Sequence, residues 1–338
     1  MSAAPIAILK AGMVTSVGLT AASSCAAIRA KVSNPTETRC VDSDDEWIMA
    51  HQVLFEYPWR GLAKLIRMAA MAIEECLASA YSADRSKLPM LLCAAERSRP
   101  GRISGLDDHL SNNIAIELGV TFGLESALMC HGRTGVAVAL MRARDLIYRQ
   151  GIERVLIVST DSVVTRRTLT YYDQHDRLLT PSNSDGFTPG EGACAFLIGK
   201  PASQHELICA GIGFGMETAH INSGEPLRGD GLIQAHKMAL AEAGLSMDDV
   251  DYRVTDLSGE HYYFKEAHFA FGRLRRRKGD PELWHPAECI GAAGAALGGG
   301  CLGVARAAVE RGYAPGETAL LHFSDDDGRR ASVVCTVG

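Results

Sequence analysis

Aromatic residues make up only 6% of this 338-residue chain, and no stretch of apolar residues approaches the roughly 20 that a membrane-spanning helix requires. Residues 1–10 carry no basic leader followed by an apolar core, so neither secretion nor membrane spanning is indicated and the expected location is the cytoplasm. Charge of one sign is not in excess enough to suggest a polyanion partner. The formal net charge of −6 gives no electrostatic footprint for nucleic acid. The ten cysteines include no CxxC pair and no zinc-ligand spacing, so free thiols in a reducing compartment are expected, with no metal and no cofactor implied. The one basic run, residues 273–278, reads as a solvated helix end or as a small patch for an acidic carrier protein.

What the chain does have is small and apolar: 47% hydrophobic residues and 34 glycines, a composition for closely packed α/β layers. The length suits two units of roughly 150 residues, or one pseudo-symmetric domain. Residues 5–9 read as a strand, 12–18 as a turn-rich loop, and 21–30 as a helix. A polar insertion, 32–51, precedes a long amphipathic helix over 59–77, where Leu62, Leu65, Ile66, Met68, Ala69 and Ile73 recur at helical spacing. Residues 89–95 and 154–160 are continuous apolar runs, the pattern of strands covered on both faces. Between them lie a helix at 106–118, a short apolar stretch at 126–130, and a helix over 135–150 that ends at Gly151.

A second cycle follows residue 200. It runs apolar at 207–215, helical at 232–243, strand-like at 252–257, helical at 262–274 and 295–311, and closes with a hairpin of 318–323 and 331–337 across an Asp-Gly turn. Two βαβ series of similar order suggest duplication, with halves 1–200 and 201–338.

Four segments, in order, resemble the β-ketoacyl synthases of the thiolase-like superfamily. They are Gly12-Met-Val-Thr-Ser-Val-Gly18, the helix 135–151 with the strand after it, Asp185-Gly-Phe-Thr-Pro-Gly-Glu-Gly-Ala193, and Ile290-Gly-Ala-Ala-Gly-Ala-Ala-Leu-Gly298. The resemblance covers nearly the whole chain. It implies a five-layered α/β/α/β/α fold and a homodimer, or a heterodimer with a ketosynthase, in which the strand of residues 126–130 pairs across a two-fold axis. It also implies work on acyl thioesters of acyl carrier protein or coenzyme A. In that pattern Asp185 and Glu191 hold loops rather than perform chemistry.

The departures fall at the catalytic positions. The family's nucleophilic cysteine belongs where this chain has Arg133 or Thr134, and Cys130 comes three or four residues early. The two family histidines would fall near 257–259 and at Ala292, a lysine near Ala287, and the family's Gly-rich loop is replaced by residues 322–328. Condensation uses those histidines to stabilise developing oxyanions. Six residues are therefore candidates for a rebuilt site. Cys130 with His131 is a nucleophile and its activator, or a buried hydrophobe and its neighbour. Arg133 is a donor fork for a carboxylate or oxyanion, or a helix-end salt bridge. Glu260 and His261 form an acid/base pair, or cap the next helix. His285 stands in for a missing histidine, or packs in its loop. Two functions follow: an acyltransferase whose Cys130 becomes acylated, or a non-catalytic ketosynthase-like subunit, like a chain length factor, that shapes a partner's cavity.

Overall fold

Twelve strands and nine α-helices form among the described residues of the computed structural model, which are 4–78, 85–277 and 279–338. The first series runs β1 (Ile6–Val14), α1 (Ala21–Arg29), β2 (Thr36–Val41), β3 (Trp47–Ala50), α2 (Gly61–Leu77), β4 (Met90–Cys93) and α3 (Leu106–Leu118). It continues with β5 (Ala127–Met129), α4 (Gly135–Arg149), β6 (Arg154–Ser162), α5 (Arg166–Asp173) and β7 (Glu191–Gly199). The second comprises β8 (Leu207–Met216), α6 (Asp230–Ala243), β9 (Tyr252–Thr255), α7 (His261–Leu274) and β10 (Glu282–Trp284), then α8 (Ala287–Ile290), α9 (Ala295–Glu310), β11 (Thr318–Ser324) and β12 (Arg329–Val337).

The duplication is visible in the strand order. The first five-stranded set lies as β1-β7-β6-β4-β5, and the second repeats it as β8-β12-β11-β9-β10. In each set the first, last and fourth strands are antiparallel neighbours, while the fourth, second and third run parallel. The sheets of the two sets are not separate: residues 6–8 of β1 pair with residues 207–209 of β8, which joins all ten strands edge to edge.

Helices α4 and α9 pack side by side between the two sets and touch strands of both. Helices α2 and α3 cover the outer face of the first set, and α6 and α7 that of the second, giving the five layers α/β/α/β/α. This explains the continuous apolar runs. Leu91, Ile157 and Phe196 face the central helices, whereas Met90, Leu92 and Val158 from the same strands face α2 and α3. Each such side chain contributes roughly 1.5–3 kcal/mol by leaving water. Close layering also needs glycine: a Cβ at Gly213 in β8 would run into the backbone of Ala235 and Ala239 in α6.

Two readings of the sequence change. Residues 12–14, taken as turn, continue β1, and the reversal comes at Thr15 and Gly18, whose backbones bond each other. The polar insertion contains the hairpin of β2 and β3. Its inward residue Ile48 packs on Val163, Leu169, Tyr172, Phe187 and Ala292, while Trp47 (52% exposed) and Met49 face out. In the basic run, Arg273 pairs with Asp230, the backbone N–H groups of Arg276 and Arg277 donate to Asp248, and Lys278 lies outside the described residues.

His236 of α6 and His322 of β11 are both buried, their rings 5.5 Å apart. His236 Nδ1 is 2.8 Å from Ser332 Oγ, and neither ring nitrogen of His322 has a partner. Burial pushes His236 down to about 3 and His322 well below its ordinary value, with Arg253 adding repulsion at both. Unfolded, each takes up a proton near pH 6.5. The folded state does not, so the stability these rings contribute is present above pH 6.5 and is lost as pH falls below it. Urea denaturation of wild type and His322→Leu between about pH 4 and 6 should show the variant's stability falling less steeply, by about 1.4 kcal/mol per pH unit for the one proton removed. Equal slopes would contradict this account.

Candidate functional site

The two central helices start at one place. Helix α4 is preceded by a single turn, residues 132–134, and α9 by Gly294, and both N-termini open on a cavity of about 30 Å³, room for about one water molecule. A helix N-terminus carries unpaired N–H groups and partial positive charge, and here each receives a carboxylate. Asp325 Oδ1 accepts from Arg133 N at 2.9 Å, and its Oδ2 lies 2.9 Å from the Thr134 hydroxyl. Asp161 Oδ2 accepts from Ala295 N at 2.8 Å. Gly294, at φ +55°, has to be glycine: a Cβ there would strike the Asp161 carboxylate and Arg99.

Three arginines answer the carboxylates. Arg99 makes a two-point bond to Glu96, at 2.9 and 2.6 Å, and donates to Asp161 at 2.5 Å. Arg133 donates to Asp326 at 2.7 Å and to the Tyr263 hydroxyl at 2.9 Å, and lies 3.8 and 3.9 Å from Asp256 and Asp325. Arg177 forks onto Glu260 and reaches both oxygens of Asp326 at 3.3 Å. Burial, with the nearby Glu96 carboxylate, pushes Asp325 up to about 7. Asp326 goes the other way: burial opposes its ionisation, yet Arg133 and Arg177 hold it well below the usual carboxylate range.

Of the six candidates, Arg133 and Glu260 line this cavity. The other four lie elsewhere. Cys130 turns toward α3, its thiol 3.2 Å from both Asp107 Oδ1 and Arg102 Nη2, and burial with the Asp107 carboxylate raises it above an ordinary thiol. His131 stands 2.9 Å from Arg329, and burial and that guanidinium lower it. His261, the first residue of α7, has 82% of its side chain exposed beside Asp185. His285 borders a separate surface groove, against Phe264 and Glu288. Neither a cysteine nor a histidine lines the cavity.

Most positions that the resemblance reserves for catalytic groups nevertheless converge; Ala287, the lysine position, does not line the cavity. Arg133, Ser258, Ala292 and the Asp325–Asp326 pair all line the cavity, and the Ser258 hydroxyl has no partner. Sequence reasoning passed over Glu96, Arg99, Asp161 and Arg177. The acidic turn at 325–327 was the one visible signal, read as a hairpin turn and as the replacement of the family's Gly-rich loop, with no site role given to its aspartates.

No protein-family model matches the sequence, and no curated protein does. Solved structures do. A complex of a ketosynthase (ApeO) with its chain length factor (ApeC) from Xenorhabdus doucetiae aligns over 99% of this chain and 98% of its own, with TM-score 0.77 and 14% identity. A type II polyketide acyl carrier protein in complex with its ketosynthase, AntDE:AntF, aligns over 100% of both chains, with TM-score 0.79 and 15% identity. A β-ketoacyl synthase from Burkholderia phymatum also aligns over 100% of both chains, with TM-score 0.73 and 14% identity. The chain has the ketosynthase fold. Within that fold its cavity is lined by ion pairs.

Removing one partner of a buried ion pair leaves an uncompensated charge at a cost of about 3–5 kcal/mol, whereas exposed pairs contribute about 1 kcal/mol or less. Arg133→Met should therefore lower unfolding free energy by about 3–5 kcal/mol in chemical denaturation. Arg142→Met, which breaks the surface pair with Asp145, should cost about 1 kcal/mol or less. Equal effects would mean that the cavity network is as well solvated as the surface.

Proposed function

We propose that the chain is a non-catalytic, ketosynthase-like subunit of a fatty-acid or polyketide type synthase, which pairs with a ketosynthase and shapes that partner's acyl cavity in the manner of a chain length factor. The observation that carries this reading is the cavity itself: about 30 Å³, walled by Arg99, Arg133 and Arg177 with their carboxylates, and lacking a cysteine or histidine. Thioester chemistry needs a nucleophile with an activating base, and donors left free for an oxyanion. The N–H of Arg133 and the hydroxyl of Thr134 are already engaged by Asp325. Acyl groups carried on acyl carrier protein then react on the partner. For the acyltransferase alternative, Cys130 would have to leave Asp107 and Arg102 and turn into a cavity with no room for an acyl chain.

The pairing edge in this reading is β5. It ends the ten-stranded sheet with one side unpaired, and Leu124, three residues before it, is fully exposed. A two-fold contact there suits a ketosynthase of the same fold or a second copy of this chain.

Incubation of the purified protein with acyl carrier protein and coenzyme A thioesters, followed by peptide mass spectrometry, should give no acylated cysteine. Coexpression with a ketosynthase from the same gene neighbourhood should give a co-purifying pair. An adduct that disappears in Cys130→Ala would replace this proposal with the acyltransferase. Ala127 is exposed on β5, so Ala127→Lys should leave the subunit folded and weaken association by tenfold or more in sedimentation velocity. Unchanged association would move the interface off β5.

A further inference from the structure

Four donor groups from separate parts of the chain meet at one carboxylate. Arg133, before α4, and Arg177, after α5, supply guanidinium groups to Asp326; the Tyr263 hydroxyl of α7 and the Tyr172 hydroxyl of α5 lie 2.5 and 3.4 Å from it. Each donor is held in place without Asp326. Arg177 is forked onto Glu260, Arg133 lies over the Tyr263 ring at 4.7 Å and near Asp256, and Tyr172 packs against Phe187. Asp326 itself belongs to a tight turn, Asp325-Asp326-Asp327-Gly328, that contributes no apolar side chain to the core. Its side chain is 25% exposed, about twice as open as those of the arginines that grip it.

A rigid slot of cations and hydroxyls, with an occupant tethered only by a polar and partly exposed turn, has the form of a binding site filled from within. We propose that this slot is a carboxylate-binding site, that Asp326 is its intramolecular occupant, and that an external carboxylate can take the same place when Asp326 is absent. The ligand class is a small monocarboxylate, or the carboxylate end of a larger molecule, bound by the fork of Arg133 and Arg177 with Tyr263 and Tyr172 as added donors. Facing acids set its limit. Glu260, Asp256 and Asp325 also face the two arginines, so the slot favours a ligand with a single carboxylate over a dianion. The inference stands apart from the partner-subunit reading, because it concerns what the cavity binds and not what the subunit pairs with.

The test is chemical rescue. Asp326→Ala should lower the melting temperature by roughly 5–10 °C, because two buried guanidinium groups lose the one carboxylate that they share. Sodium formate in the millimolar range should then restore at least half of that loss along a saturating curve. Sodium chloride at equal ionic strength should not, and wild type should not respond to formate. Asp326→Asn, whose amide still fills the slot, should be destabilised without being rescued, and Asp326→Ala with Arg177→Met should lose the rescue. If Asp326→Ala is recovered only as inclusion bodies, the refolded yield in formate against chloride reads the same effect. An Asp326→Ala variant as stable as wild type would overturn the proposal. So would an absent formate effect, or equal rescue of Asp326→Asn.

Discussion

Everything at the centre of this molecule depends on a reciprocal cap. Asp161 is the eighth residue counted from the start of β6, and Asp325 is the eighth from the start of β11, the equivalent fourth strand of the other set. Each carboxylate crosses to the central helix of the opposite set: Asp161 to the first residue of α9, Asp325 to the turn that opens α4. The duplication therefore brings two helix N-termini together, and the N–H groups that each leaves unpaired require acceptors where they are buried. Carboxylates meet that demand but bring buried negative charge. Arg99 and Arg133 follow as the counter-charges, and Arg177 follows in turn because Glu260 and Asp326 share the same space.

That chain of necessity bears on chemistry. A helix N-terminus in a dry pocket is a natural place to stabilise a thiolate or an oxyanion, provided that its donors are free and a nucleophile stands on them. In this chain the same donors end on the protein's own aspartates. A network of this kind brings little net stability, because desolvation of the charges offsets their attraction, but it is costly to break at any one point. It links the two halves across the central layer.

The sequence carried most of the architecture because period and apolarity are properties of the chain alone. The runs of β4 and β6, the stripe of α2 and Gly151 at the end of α4 are legible in this way. Side-chain direction is not such a property. Cys130 stands near the mouth of the α4 turn in sequence, but β5 places it on the side of Asp107. His261 has the right neighbour in Glu260, but the first turn of α7 points one inward and the other to solvent. The hairpin of β2 and β3 was hidden because its strands are short and their outward residues polar or isolated. The ion-pair network was hidden because, apart from Glu96 with Arg99 and the adjacent Asp325 and Asp326, its members lie tens to hundreds of residues apart, and only the fold brings Glu96, Arg177 and Asp326 together.

The same distinction explains why the most specific sequence motif survives where the site residues do not. In the segment 185–193, Asp185 accepts the backbone N–H of His261 at 2.7 Å and so caps α7, while buried Glu191 takes Val53 N at 2.9 Å, the Ser162 hydroxyl at 2.8 Å and Lys64. Glu191's bonds tie β7 to the segment that follows the hairpin, to β6 and to α2. A change at either position would misplace whole elements, whatever chemistry the cavity performs. Arg133, Ser258 and Ala292, by contrast, occupy turns and strand ends whose backbone is fixed by neighbours, so their side chains can change without moving the frame. Resemblance in the frame and divergence in the cavity are thus two outcomes of one principle: residues that position backbone are constrained by the fold, and residues that project into the cavity are constrained only by what the cavity must hold.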